Sequence, residues 1–136
     1  MRSLTEVAPG VLVATSSYAL TTSTVVVGSS GGCLVIDPAV TADDLAALAG
    51  ELAERGLRPT AAWSTHPHWD HVLWSAALGD APRYAAPAAV TLAETDREAA
   101  GAGLSSGAGL SPGRSRGEPH RQRLQAVDER ARPPAQ

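Results

Sequence analysis

The chain reads as an α/β protein of the α+β kind: a mixed β-sheet with helices on one face. Three observations carry this expectation. Apolar and β-branched runs crowd residues 11–37, a stretch of helical period over 41–57 lies between two short apolar runs, and no period is sustained beyond about Gly101. The 136 residues suffice for one small domain. With no Phe and aromatics at only 4%, its core must be built from Val, Leu and Ala.

Taken in order, "VLVAT" (11–15), "STVVVGS" (23–29) and "CLVID" (33–37) predict strands, the last two forming a hairpin across Gly31 and Gly32. In "VTADDLAALAGELAERG", Leu45, Leu48 and Leu52 share one helical stripe. Thr41 can cap its start, with Asp44 three residues on, and Gly56 stands where a helix stops. "TAAWS" (60–64) predicts another buried strand, which makes 33–64 a strand–helix–strand unit with a parallel, right-handed crossover. Further on, residues 71–78 predict a short helix ending at Gly79, "RYA" a brief strand and "PAAVTLAETDREAA" a second amphipathic helix.

The expected boundary divides a domain over 1–100 from a tail over 101–136. The tail holds six Gly, four Pro and six Arg, and is expected to be disordered. Because "VVV" and "CLVI" are unbroken apolar runs, their strands should be covered on both faces. The two helices can cover one face, and nothing obvious in the sequence covers the other.

The formal charge of −3 is unevenly spread: residues 1–100 carry 11 acids against 5 arginines, and residues 101–136 carry 3 acids against 6 arginines. An arginine tail for nucleic acid would want aromatics or a dense basic run, and this one has neither, so no nucleic-acid partner is expected. The single cysteine, Cys33, excludes an internal disulfide and a thiolate cluster, and reads as a small apolar strand residue. No run approaches the roughly 18 apolar residues of a membrane span, and "MRSLTEVAPGVLVATS" lacks the apolar centre of a secretory signal. The expectation is a cytoplasmic protein with no membrane partner.

Function concentrates in "WSTHPHWDHVLW", which places His66, His68, Asp70 and His71 within six positions just past a predicted strand. Residues two apart on an extended segment project to the same side, so His66 and His68 can converge on one ion while Asp70 and His71 face a second. Imidazoles and a carboxylate can hold zinc and leave a position open, where bound water drops to a pKa of about 7 and becomes a nucleophile near neutrality. Iron or manganese would also suit such ligands. Trp63 and Trp74 are expected to pack in the core, and Trp69, between ligands, is the pocket candidate.

"THPHWDH" resembles the H-x-H-x-D-H signature of the metallo-β-lactamase superfamily, and the hairpin, "LVIDPA" and helix before it are similar to that family's opening elements over about residues 6–95. The resemblance implies half of an αββα sandwich, the N-terminal half, with a zinc site at the edge between the sheets. It implies His66 and His68 as ligands of one zinc and Asp70 and His71 as ligands of a second, with Asp70 also handling protons. Asp37 corresponds to an aspartate that supports the ligands from behind; its plainer role is to turn the chain before Pro38. Where the family often has glycines after the motif, this chain has Leu73 and Trp74.

The family's second half supplies further ligands that are not recognisable here. His120 in "GEPHRQR" and Asp128 in "AVDERA" lack the family context and are not assigned. The expected activity is zinc-dependent hydrolysis of a small-molecule ester, thioester, lactone, amide or phosphodiester. A glyoxalase II-like thioesterase or a general hydrolase is favoured over a true β-lactamase for want of a secretion signal. The alternative is a truncated, inactive chain that binds metal weakly and self-associates through its uncovered sheet face. A frameshift near Gly101 would account for the change of composition.

Overall fold

The computed structural model describes residues 1, 3–95 and 124–126, to which the structural statements below refer. Seven strands form one mixed sheet in sequence order: β1 (Thr5–Ala8), β2 (Val11–Thr15), β3 (Thr22–Val27), β4 (Gly32–Ile36), β5 (Arg58–Ser64), β6 (Arg83–Ala85) and β7 (Leu124–Ala126). The first four pair antiparallel. From β4 onward each neighbour is parallel.

The expected hairpin lies between β3 and β4, with Val25 opposite Val35 and Val27 opposite Cys33. Its connection is a 3₁₀ turn, Ser29–Gly31, in which Gly31 has φ +75°, and a Cβ there would sit 2.9 Å from the Gly56 carbonyl oxygen. Both the left-handed backbone and the close approach require glycine. Strand β1, exposed along its length, carries no apolar alternation that would have predicted it.

Helix α1 (Ala42–Glu54) forms where its stripe predicts. The Thr41 hydroxyl accepts from the Asp44 amide at 3.1 Å, capping the first turn. At the other end Gly56, φ +68°, donates to the Ala53 carbonyl and Leu57 to the Leu52 carbonyl, the paired bonds of a Schellman stop, with Leu57 packed on the core behind them. Leu45, Leu48 and Leu52 bury against Leu12, Ala14, Val25, Cys33 and Val35. Fully burying a side chain such as Leu48 stabilises the fold by roughly 2 kcal/mol. Cys33 is a small core residue, as expected, and burial raises its thiol pKa.

The Asp44 carboxylate does not complete the capping box. It instead meets the Met1 α-ammonium at 2.6 Å and accepts from the Ser16 hydroxyl at 2.6 Å, in a buried cluster that joins the N-terminus and β2 to α1.

Alternation decides the two faces of the sheet. Leu12, Ala14, Val25, Val35 and Ala62 turn towards α1 or are fully enclosed, whereas Val11, Val13, Val26, Leu34, Ile36 and Trp63 are only half-buried. The register places Val11, Val26, Leu34 and Ala61 in one cross-strand row and Val13, Thr24, Ile36, Trp63 and Tyr84 in the next. That second face is apolar and, among the described residues, uncovered. Trp63 therefore lies on the open face beside Ile36 and Tyr84 and not in the core, while Trp74 does pack on the core.

One further expectation needs correction. Residues 71–78 do not form one helix. A single turn, α2 (Trp69–Val72), and a 3₁₀ turn (Ala76–Leu78) are separated by extended backbone at Leu73 and Ser75. The break lets the successive side chains Leu73 and Trp74 both reach the core, and Ser75 caps the second turn by accepting from the Ala77 amide. Within the stretch expected to be disordered, residues 124–126 pair with β6 as a strand. Three residues are too few for any period to appear in the sequence. The rest of 101–136, with His120 and Asp128, lies outside the described residues, and a helix, α3, runs over 87–95.

Candidate metal centre

The site is built where two parallel strands end side by side. Ile36 of β4 pairs with Trp63 of β5, so the residues that follow, Asp37 on one strand and Ser64 and Thr65 on the other, emerge together at the carboxyl edge of the sheet. Asp37 donates its amide to the Trp63 carbonyl and adopts φ +48°, a left-handed conformation that aspartate tolerates better than most residues. Its carboxylate is thereby aimed across at β5. One oxygen accepts from the Thr65 amide at 2.8 Å, and the other from the Thr65 hydroxyl at 2.6 Å.

That grip fixes the start of the histidine segment. The Thr65 hydroxyl oxygen lies 3.0 Å from His66 Nδ1, and His71 Nδ1 lies 3.2 Å from the second Asp37 oxygen. The imidazoles gather closely: ring centres of His66 and His68 are 4.8 Å apart, and those of His66 and His71 are 3.6 Å apart. The return of the chain in α2 makes this possible. The His71 amide donates to the His68 carbonyl at 2.9 Å, and the Ser64 hydroxyl donates to the His71 carbonyl at 2.8 Å. Arg83 on β6, its pKa lowered by burial, donates to the Val72 carbonyl at 3.1 Å and holds the end of the same turn.

Three of the four expected ligands, His66, His68 and His71, are thus brought together, with Asp37 behind two of them. Asp70 and Trp69 lie in α2, but their side chains are outside the description, so the ligand and proton-handling roles expected of Asp70 and the pocket role expected of Trp69 stand as expectations. Among the described residues, no three His, Cys, Asp or Glu side chains close on a single ion. The donor chemistry nonetheless suits one: His66 has its Nδ1 side turned to a hydroxyl, His71 has its Nδ1 side turned to a carboxylate, and neutral imidazole is the commonest protein donor to zinc and its neighbours.

Sequence reading missed Thr65 and Ser64. Their hydroxyls carry the local structure, and the only available signal was adjacency: two hydroxyl residues between a strand and the first histidine. A hollow of about 420 Å³ lined by Gly28, Ser29, Cys33, Arg58 and Thr60 lies at the amino ends of β4 and β5, the opposite edge from the histidines.

Fold and site together define a class: a mixed-sheet α/β protein whose imidazole cluster sits at the carboxyl ends of adjacent parallel strands, the edge where such sheets bind ligands. The chain belongs to the metallo-beta-lactamase superfamily, whose family model matches residues 18–131. That span runs past Gly101 and through most of the arginine-rich stretch.

Similar solved structures include the DIM-1 metallo-beta-lactamase, 23% identical with a TM-score of 0.55, covering 69% of this chain and 46% of that one. The metallo-beta-lactamase FIM-1 from Pseudomonas aeruginosa, in its mono-zinc form, is 20% identical with a TM-score of 0.58, covering 70% of this chain and 46% of that one. VMB-1 is 18% identical with a TM-score of 0.55, over 70% of this chain and 47% of that one. At these identities the likeness concerns the fold. The chain spans about half the length of each of these structures, and no curated protein matches it.

Proposed function

We propose that the chain carries one half of the active site of a metal-dependent hydrolase, with His66, His68, Asp70 and His71 as the metal-holding residues and Asp37 as their support. The observation that carries this reading is the gathering of His68 and His71 about His66, their ring centres 4.8 and 3.6 Å from its own, at the carboxyl edge of a parallel strand pair, with His66 and His71 backed by the Asp37–Thr65 pair. Zinc is the metal proposed, two ions in a complete site, with iron and manganese as alternatives of compatible chemistry. When bound, such an ion supplies Lewis-acid polarisation and lowers the pKa of water at its open position.

The chain's own residues have other work. Asp37 and Thr65 orient His66, Ser64 holds the turn that returns His71 to the cluster, and Asp70 is proposed to hold or pass a proton during hydrolysis. The substrate proposed is a small molecule with an ester, thioester, lactone, amide or phosphodiester bond, met in the cytoplasm. Metal analysis of the purified full chain, combined with turnover of a panel containing each of those bonds, tests the reading. Bound zinc with hydrolysis abolished in His66→Ala/His68→Ala is the expected result. Turnover that survives this double substitution would sink it.

A second reading is favoured by the open sheet face and by the absence, among the described residues, of three side chains closing on one ion. On this reading the isolated chain binds metal weakly, turns nothing over and associates with itself through Val13, Val26, Leu34, Ile36 and Trp63. The same assays separate the two readings.

A further inference from the structure

We propose that Thr65 is the positioning residue that fixes His66 in its Nδ1–H tautomer, leaving Nε2 as the lone-pair donor of that ring. The hydrogens available decide the tautomer. Thr65 Oγ1 has one hydrogen and two polar neighbours, Asp37 Oδ2 at 2.6 Å and His66 Nδ1 at 3.0 Å. An ionised carboxylate can only accept, so the hydroxyl hydrogen goes to Asp37. The hydroxyl oxygen is then left as an acceptor facing His66, and the ring nitrogen facing it must carry the proton.

The geometry holds this direction firmly. The Thr65 amide occupies the other Asp37 oxygen at 2.8 Å, so the carboxylate cannot turn away without breaking a second bond, and its side chain is only 13% exposed. Asp37 is itself set by its bond to Trp63 and its left-handed backbone. The order runs from carboxylate to hydroxyl to imidazole, and its product is a choice of nitrogen. Free neutral imidazole side chains do not make that choice for themselves; the partner of one nitrogen makes it for the other.

This inference rests on the metal reading for its purpose, but the tautomer itself can be read without metal. The ¹⁵N-labelled full chain is stripped of metal and held near pH 8.5, about two units above the usual imidazole value. Long-range ¹H–¹⁵N correlation spectra then show which nitrogen of His66 is protonated. The wild type is expected to show a pyrrole-type Nδ1 and a pyridine-type Nε2, as is Thr65→Ser, which keeps the hydroxyl. Thr65→Val is expected to lose this preference, while His68, not bonded to Thr65, serves as the internal reference.

Asp37→Asn gives a sharper test that does not depend on Thr65→Val folding. With the Asn oxygen still accepting from the Thr65 amide, its NH₂ donates to Oγ1 and no longer claims the hydroxyl hydrogen, which is then free to donate to His66 Nδ1, so the Nδ1–H preference is expected to be lost or inverted. A second readout is zinc affinity by competition with a chromophoric chelator: Thr65→Val should weaken it about 10- to 100-fold, and Thr65→Ser should restore it. An Nε2–H tautomer in the wild type, or an unchanged one in both Thr65→Val and Asp37→Asn, overturns the proposal. If the tautomers behave as stated and the wild-type chain binds no zinc, the metal reading alone is overturned and the relay stands.

Discussion

Single residues in this protein are set by what their carboxylates hold. Asp44 is buried against the Met1 ammonium and also accepts from Ser16, and these hydrogen bonds, the ammonium first, hold its pKa below the ordinary value. A depressed carboxylate stabilises the folded state above its unfolded pKa of about 3.9, and that contribution is lost as pH falls from there towards the folded value. The urea midpoint should therefore drop between pH 6 and pH 3, and Asp44→Asn should lower the midpoint at pH 6 while flattening the acid limb. Asp37 accepts from the amide and the hydroxyl of Thr65 and also faces His71 Nδ1. Asp37→Ala leaves the two Thr65 donors to water, because Thr65 is exposed, and should cost only about 0.5–1.5 kcal/mol in urea denaturation.

At the scale of elements, the β4–α1–β5 unit carries both the core and the site. Leu48, fully buried on α1, makes Leu48→Ala an expected loss of about 2–5 kcal/mol by thermal or urea denaturation. Such a change should leave the histidine segment intact in whatever fraction remains folded. This unit was also the most legible part of the sequence: a stripe of leucines, a Thr cap and a stop glycine each act locally, and each was found where it was expected. The elements that escaped are those whose cause is not local. The break between α2 and the following 3₁₀ turn comes from Leu73 and Trp74 both seeking the core, and β7 is held by pairing with β6 across a long stretch of chain. Of the site, the histidines were plain in their spacing. Thr65 was not, because its part depends on Asp37 arriving from another strand.

For the whole molecule, the main fact is the imbalance between the two faces of the sheet. One is closed by α1, and the other presents rows of Val, Leu, Ile and Trp at half exposure. Sedimentation velocity over a range of concentrations is expected to show association of the chain, reduced when Val26 and Leu34 are replaced together by Thr; a monomer at all concentrations would count against it.

The histidines at the carboxyl end of β5 are proposed as a metal site, and the decisive measurement is zinc titration of the metal-free full chain against a competing chelator. Saturable binding is expected, lost in His66→Ala/His68→Ala and weakened about 10- to 100-fold in Thr65→Val. Binding of equal strength in the wild type and the double variant would contradict it.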